Sequence, residues 1–392
     1  MTAAKTGEYI YFDHAATTPV LPEVAQVMNK CFLKYFGNAS EPHLPGRQAK
    51  KILEQSRHEI ASVLGASDAE IVFTGSGTES DNMAIFGAAQ ANRKKGNHII
   101  TTSVEHPAVA MPCKMLEKQG FKVTYLPVDR YGMVCPDDLK KAITNKTILV
   151  SVMHANNIVG TIQPIEEIGS LLKDKDILFH TDAVQTFCSI KTDVKCLGVD
   201  LLSLSGHKIY GPKGVGALYI RKKTRIKPYI FGGGQERGRR SGTENTAGIA
   251  GLAKAASIAG KAMGQRAEHV SAMRQYLKKG IIDSIDDVIF NGHPEKRLPG
   301  NCNFSFRFVE GEAMVLRLDA AKIAVSSGSA CSSSSVKPSH ALVAMGLSPQ
   351  EAYGSLRITL GYENTFGQVD YFLENLERII KDLRMISPLK KG

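Results

Sequence analysis

Four side chains in this sequence are placed where they could share a reaction: Lys208, Asp182, His106 and Cys331. The apolar run Leu201–Leu204 gives way to Ser205-Gly206-His207-Lys208 and then to a turn rich in glycine and proline. An ammonium is strongly hydrated and costly to bury unless it is paired or covalently used. A lysine there reads either as the start of a surface loop or as a Schiff-base lysine tuned by a partly dry pocket. Asp182, in His180-Thr181-Asp182-Ala183-Val184-Gln185, ends another apolar run and could pair with a pyridinium nitrogen, which sustains an electron-sink cofactor. His106 precedes Pro107, a residue suited to a first helical turn. It could stack on a flat ring and exchange protons near neutral pH, or simply cap a helix.

The segment Phe73–Ser80 reads FTGSGTES. Its glycines permit a tight backbone approach, and the helix it opens offers unpaired N–H groups to a phosphate. No lysine follows at Walker spacing, and an N-cap at Ser76 or Thr78 with a glycine turn is the plainer reading of this piece alone. His154-Ala155-Asn156-Asn157 brings amide side chains to a further strand end. Together these segments set a phosphate cradle, a stacking histidine, an aspartate and a lysine on successive strand ends, the partners that pyridoxal 5′-phosphate requires. Cys331 lies in Ser326–Ser335, SSGSACSSSS, with no large apolar neighbour that would mark a buried core thiol. As a nucleophile it would gain from an electropositive cleft or a proton acceptor.

Positioning such residues calls for a sheet. Strands are expected at Ile71–Thr74, His98–Thr102, Lys122–Leu126, Thr147–Val152, Ile177–Thr181, Leu201–Ser205 and Gly216–Ile220. Helix-length segments such as Glu79–Lys95, Ala108–Gln119 and Ile165–Lys173 lie between them. That alternation predicts an α/β fold with a mainly parallel sheet, in which ligands sit at the carboxyl ends of the strands. Beyond residue 245 a long Ala-rich helix, Thr246–Ser284, leads to fewer strands (Val288–Phe290, Cys302–Phe306, Ile323–Val325) and a final helix, Gln368–Leu383. This is the pattern of a smaller α+β domain.

The 392 residues suffice for two domains, and 43% hydrophobic with 22% charged residues is ordinary globular composition. No apolar run approaches membrane-spanning length, and the start lacks the features of a secretory signal. Seven cysteines without a CxxC pair argue against a disulfide framework or structural zinc, so no metal is expected and a reducing cytoplasm is the simplest compartment. The net charge of +11 suits acidic partners or an anionic ligand; its scatter argues against direct nucleic-acid binding.

The motifs TGSGTESDN, EHPAV, HANNIVG, TDAVQ, SGHKIYGPKG, GGGQERGRRSGTEN and SSGSACSSSS, in this order from Tyr11 to Arg357, resemble those of the cysteine desulfurases. These are class V members of the fold-type-I pyridoxal phosphate enzymes. The resemblance implies a large seven-stranded, mainly parallel sheet domain (16–262). A smaller α+β domain (1–15 and 263–392) would carry a mobile catalytic-cysteine loop at about 326–337. It implies that Lys208 binds the cofactor covalently, Asp182 holds the ring nitrogen, Gln185 the ring hydroxyl, and His106 stacks on the ring. Gly77, Thr78, Ser205 and His207 would bind the phosphate, Gly206 would also contact the cofactor, and Thr243 would reach the phosphate in the neighbouring subunit of a homodimer. Asn157, beside the cofactor, and Arg357 would hold the substrate carboxylate. Cys331 would take sulfur from L-cysteine as a persulfide, leaving L-alanine, for an acceptor such as an iron–sulfur scaffold protein or a tRNA-thiolation enzyme. Selenocysteine lyase and a class V aminotransferase are the alternatives. Ile158 departs from the family, which commonly has an acidic residue there.

Overall fold

The computed structural model describes residues 9–327 and 338–388. Cys331 and most of its expected loop lie outside the described residues. After a two-residue strand β1 (Ile10–Tyr11), seven strands build the main sheet. They are β2 (Ile71–Thr74), β3 (His98–Thr102), β4 (Lys122–Leu126), β5 (Thr147–Ser151), β6 (Leu178–Asp182), β7 (Leu201–Ser205) and β8 (Gly216–Ile220). Their spatial order is β2-β8-β7-β6-β5-β3-β4. All neighbours pair in parallel except β8, which runs antiparallel to both β2 and β7. Two antiparallel steps restore the direction, so β2 ends on the same edge as the parallel strands.

The strands β2, β3, β5, β7 and β8 are buried along their whole length. Cover on both faces explains why they read as continuous apolar runs rather than alternating ones. One hydrophobic cluster joins β2, β6 and β7 to the helix Leu44–Leu64 and to Leu252, Ala255 and Ala259. A second packs Met83, Ala84 and Ala88 of the helix Gly77–Asn92 on the other face. From β3 the chain steps outward to β4, then returns to β5 and proceeds inward. The point where the order reverses, β3/β5, is where α/β sheets bind ligands.

The helix Thr246–Ser284 falls where expected and crosses from one core to another. Its later residues, Val270, Met273, Leu277 and Ile281, pack with Ile10, Phe12, Phe304 and Phe372. Here β12 (Ser355–Thr359) pairs antiparallel with β10 (Asn301–Phe306), which pairs with β9 (Val288–Phe290), while β1 pairs with β11 (Ile323–Ala324). The final helix is longer than expected, Phe366–Ile386.

Four differences from the expected elements bear on the site. The strand expected at Ile177–Thr181 is shifted by one residue, which makes Asp182 its last residue. The helix expected from Glu79 starts at Gly77, because Ser76 caps it by accepting from the Glu79 N–H at 3.1 Å. The strand carrying Arg357 was not expected at all, since SLRIT is short and its polar residues are as buried as its apolar ones. The helices Pro22–Leu33 and Leu44–Leu64 also lie outside the expected elements.

Candidate active site

At the carboxyl edge of the sheet a cavity of about 260 Å³ is bordered by Gly77, Thr78, His106, Asp182, Gln185 and Lys208. Asn157, Ser205 and His207 complete the expected residues on its wall. They arrive from the ends of five strands, β2, β3, β5, β6 and β7, or from the segments that follow them, so the sheet fixes their mutual positions.

The cradle is the first turn of the helix Gly77–Asn92. The Glu79 N–H is bonded to Ser76 Oγ and the Ser80 N–H to the Ser76 carbonyl at 3.1 Å. No described residue takes the Gly77 or Thr78 N–H. Two unpaired donors at a helix N-terminus beside a cavity form an anion site. Gly77 is required there: a Cβ would stand 2.6 Å from Val184 Cγ2.

Asp182 is 7% exposed, and its Oδ1 accepts from the Val184 N–H at 2.9 Å. No described residue donates to its Oδ2. Burial pushes its carboxyl up to about 7, and the charge of Asp81 adds to the rise; His106 and the Val184 N–H oppose it. A cationic ring nitrogen is the partner that would return this group to a carboxylate. Asp81, 1% exposed, has no hydrogen bond on Oδ1, and burial pushes it up to about 7. Beside it His180, pushed down to about 4 by burial, is held between Ser151 Oγ (2.8 Å) and Ser203 Oγ (3.0 Å).

His106 caps the helix Pro107–Lys118, its Nδ1 accepting from the Ala108 N–H at 3.1 Å. The capping reading of this residue therefore holds, and the same side chain also borders the cavity. With Nδ1 occupied, a proton can be held or passed only at Nε2. Burial lowers its pKa; Asp182 opposes this, and Lys208 and His340 add to it.

Lys208 closes a short 3-10 turn after β7. Its Nζ donates to the carbonyls of Ala15 (2.6 Å) and Ala16 (2.7 Å). Burial and then the charge of Arg357 lower its pKa from 10.5 to about 8, against Asp13 and Asp182. Gln185 Nε2 donates to the same Ala15 carbonyl at 3.0 Å, which leaves its second N–H for a ligand. His207 Nδ1 lies 3.2 Å from Thr17 Oγ1, and burial pushes its imidazole down to about 4.

Arg357 stands beside the cavity wall. Its Nη1 donates to the Asn157 carbonyl at 3.2 Å and its Nη2 to Asp13 Oδ1 at 2.8 Å, while Nε is buried without a partner among the described residues. Like Arg357, two other expected residues do not line this cavity. Gly206 is buried against Pro212, Val215 and Leu252, where a Cβ would meet the Pro212 carbonyl at 2.9 Å. Thr243 is exposed, in the loop whose Glu236 makes a buried two-pronged ion pair with Arg57.

The reading of motifs passed over the segment from Asp13 to Thr18. Its carbonyls and side chains engage Lys208, Gln185, His207 and Arg357. The run of small residues Ala15-Ala16-Thr17-Thr18 directly after a strand was the available signal, because only small side chains let so many groups reach a backbone. Ile158, 6% exposed, packs with Val104, Met153 and Leu342, so the departure from the family places a core side chain there.

The sheet, its strand-end site and the unpaired helix start define an α/β enzyme of the transaminase type, and residues 10–372 match the family described as Aminotransferase class-V. The chain belongs to that family. It is 53% identical over 382 residues to a protein of Dictyoglomus turgidum named Cysteine desulfurase IscS, with 97% of each chain covered. A Methanosarcina thermophila protein of the same name is 50% identical over 380 residues, covering 97% of this chain and 94% of its own. Among solved structures, a NifS-like protein superposes with a TM-score of 0.90 at 40% identity, covering 96% of this chain and all (100%) of that one. A structure titled SspA in complex with cysteine does so with 0.80 at 39%, covering 91% and 100%.

Proposed function

We propose that the chain is a cysteine desulfurase that takes sulfur from L-cysteine, releases L-alanine and carries the sulfur as a persulfide on Cys331. The observation that carries this reading is the convergence of Lys208, Asp182, His106 and the free Gly77 and Thr78 N–H groups on one cavity of about 260 Å³. Pyridoxal 5′-phosphate, when bound, supplies an electron sink for charge developing on the substrate. Lys208, its pKa lowered to about 8, would hold the cofactor covalently through the neutral form that this lowering makes more accessible. The Asp182 carboxylate balances the ring nitrogen, Gln185 takes the ring hydroxyl, and His106 covers the ring and moves protons at Nε2. The cradle N–H groups, Thr78, Ser205 and His207 take the phosphate, with Gly206 giving the chain room to turn. Asn157 and Arg357 hold the substrate carboxylate. The exchange balances as one thiol and L-cysteine giving one persulfide and L-alanine, with no outside oxidant.

Thr243 is exposed and away from its own cavity, which supports its service to a second copy in a homodimer. The two cores joined by the helix Thr246–Ser284 support a division into residues 16–262 and residues 1–15 with 263–392. No helix among the described residues is long and apolar enough to cross a membrane. The seven cysteines without a CxxC pair support our placing the protein in a reducing cytoplasm. The persulfide passes to an acceptor, an iron–sulfur scaffold protein or a tRNA-thiolation enzyme.

Mass spectrometry after incubation with L-cysteine tests the reading. An extra sulfur on Cys331 with matching alanine is the expected result, and Cys331→Ala abolishes both the adduct and sulfide release while keeping the cofactor's visible band. Sulfide release at the parent rate by Cys331→Ala would overturn the role of this thiol.

A further inference from the structure

The guanidinium of Arg357 presents three donor atoms, and their occupancy is uneven. Nη1 is bonded to the Asn157 carbonyl, Nη2 to Asp13 Oδ1, and Nε, although buried, to none of the described residues. A carboxylate binds arginine best through two parallel N–H···O bonds. The Nε/Nη2 edge is the pair left for such a ligand, and Asp13 holds only half of it. The Asp13 backbone is fixed independently of its carboxylate, since the Tyr11 hydroxyl donates to its carbonyl at 3.0 Å and its chain bridges to Thr359. Its side chain is 18% exposed, so the carboxylate can turn to water without moving the chain.

We propose that Asp13 is an internal competitor for the substrate carboxylate: it holds the Arg357 fork in register and is displaced from Nη2 when the substrate takes the Nε/Nη2 edge. The proposal rests on the reading of Arg357 as the substrate-carboxylate residue. Asp13 is a positioning residue that sets how much of the carboxylate's binding energy survives as affinity. It also sets selectivity, because an amine without a carboxylate cannot displace it.

The test is a titration of the holoenzyme with L-alanine and with ethylamine, which lacks the carboxylate, followed by the cofactor's visible band. In Asp13→Asn the neutral amide still accepts from Nη2 but competes weakly. The ratio of L-alanine to ethylamine affinity is expected to rise ~fivefold, which cancels any change at Lys208 common to both amines, and the KM for L-cysteine to fall further than kcat changes. Equal shifts for both ligands, no shift, or weaker L-alanine binding relative to ethylamine would overturn the proposal. Asp13→Ser carries the same test if Asp13→Asn does not fold. Arg357→Gln separates the two failures: if it leaves the preference for L-alanine over ethylamine intact, the substrate role of Arg357 falls. If it removes that preference while Asp13→Asn changes nothing, only the role of Asp13 falls.

Discussion

The two halves of the site are built differently. The proposed cofactor half takes Gly77, His106, Asp182 and Lys208 from four strands of one sheet, Asp182 as the last residue of its strand and the others a short turn beyond theirs. The proposed substrate half joins Asp13, Asn157 and Arg357 from chain segments far apart in sequence, and backbone carbonyls serve as often as side chains. In the first half, the packing that forms the sheet also aims the catalytic groups. In the second, aim depends on hydrogen bonds that can be exchanged for those of a ligand. The cofactor half should therefore respond to mutation in kcat, and the substrate half in KM.

Asp182→Asn is expected to give the largest effect. The amide cannot balance a charged ring nitrogen, and removing one preorganised electrostatic partner typically costs roughly 10²–10³-fold in kcat. Steady-state kinetics with L-cysteine would measure it, with the KM shifting far less. A loss appearing mainly in KM would erase the distinction between the halves.

Arg357→Gln comes next. Hydrogen bonds to charged groups contribute about 1.5–3 kcal/mol, which corresponds to a KM for L-cysteine raised ~10- to 100-fold. The cofactor's visible band should keep its intensity, because nothing on the phosphate or ring side is touched. Loss of the bound cofactor in this variant would show that the halves are one unit.

The same contrast decided what the sequence could tell. Lys208 and Asp182 are legible because each ends an apolar run, and a buried strand is the clearest local pattern a chain has. His106 is legible through the proline after it. Arg357 needed family likeness, since its strand Ser355–Thr359 is only five residues long and, although polar and apolar residues alternate along it, every one of them is buried. Asp13 escaped altogether, because its meaning lies in a contact with Arg357 that no local pattern encodes. The small residues Ala15 and Ala16 look like a loop, yet their carbonyls are the seat of the Lys208 ammonium.

Lys208 is where the halves meet, and its titration reads both. Burial and the Arg357 charge favour the neutral amine, while Asp13 and Asp182 favour the ammonium, and the balance is a pKa of about 8. Only the neutral amine attacks a carbonyl, so cofactor loading onto the apo-protein should quicken as pH rises toward this value and level off above it. Between pH 7 and pH 9 the neutral fraction then rises about tenfold. An ordinary lysine near 10.4 would give roughly a hundredfold rise over the same range with no plateau. Stopped-flow absorbance of cofactor uptake measures the profile. Removing the Asp13 charge takes away one of the two groups that favour the ammonium, so Asp13→Asn should move the midpoint below that of the parent. Asp182 is the other, but it belongs to the cofactor half, and its loss would also weaken the site being loaded. A hundredfold rise without a plateau would mean that water reaches Lys208 freely, and that the segment from Asp13 to Thr18 does not shape the amine's surroundings.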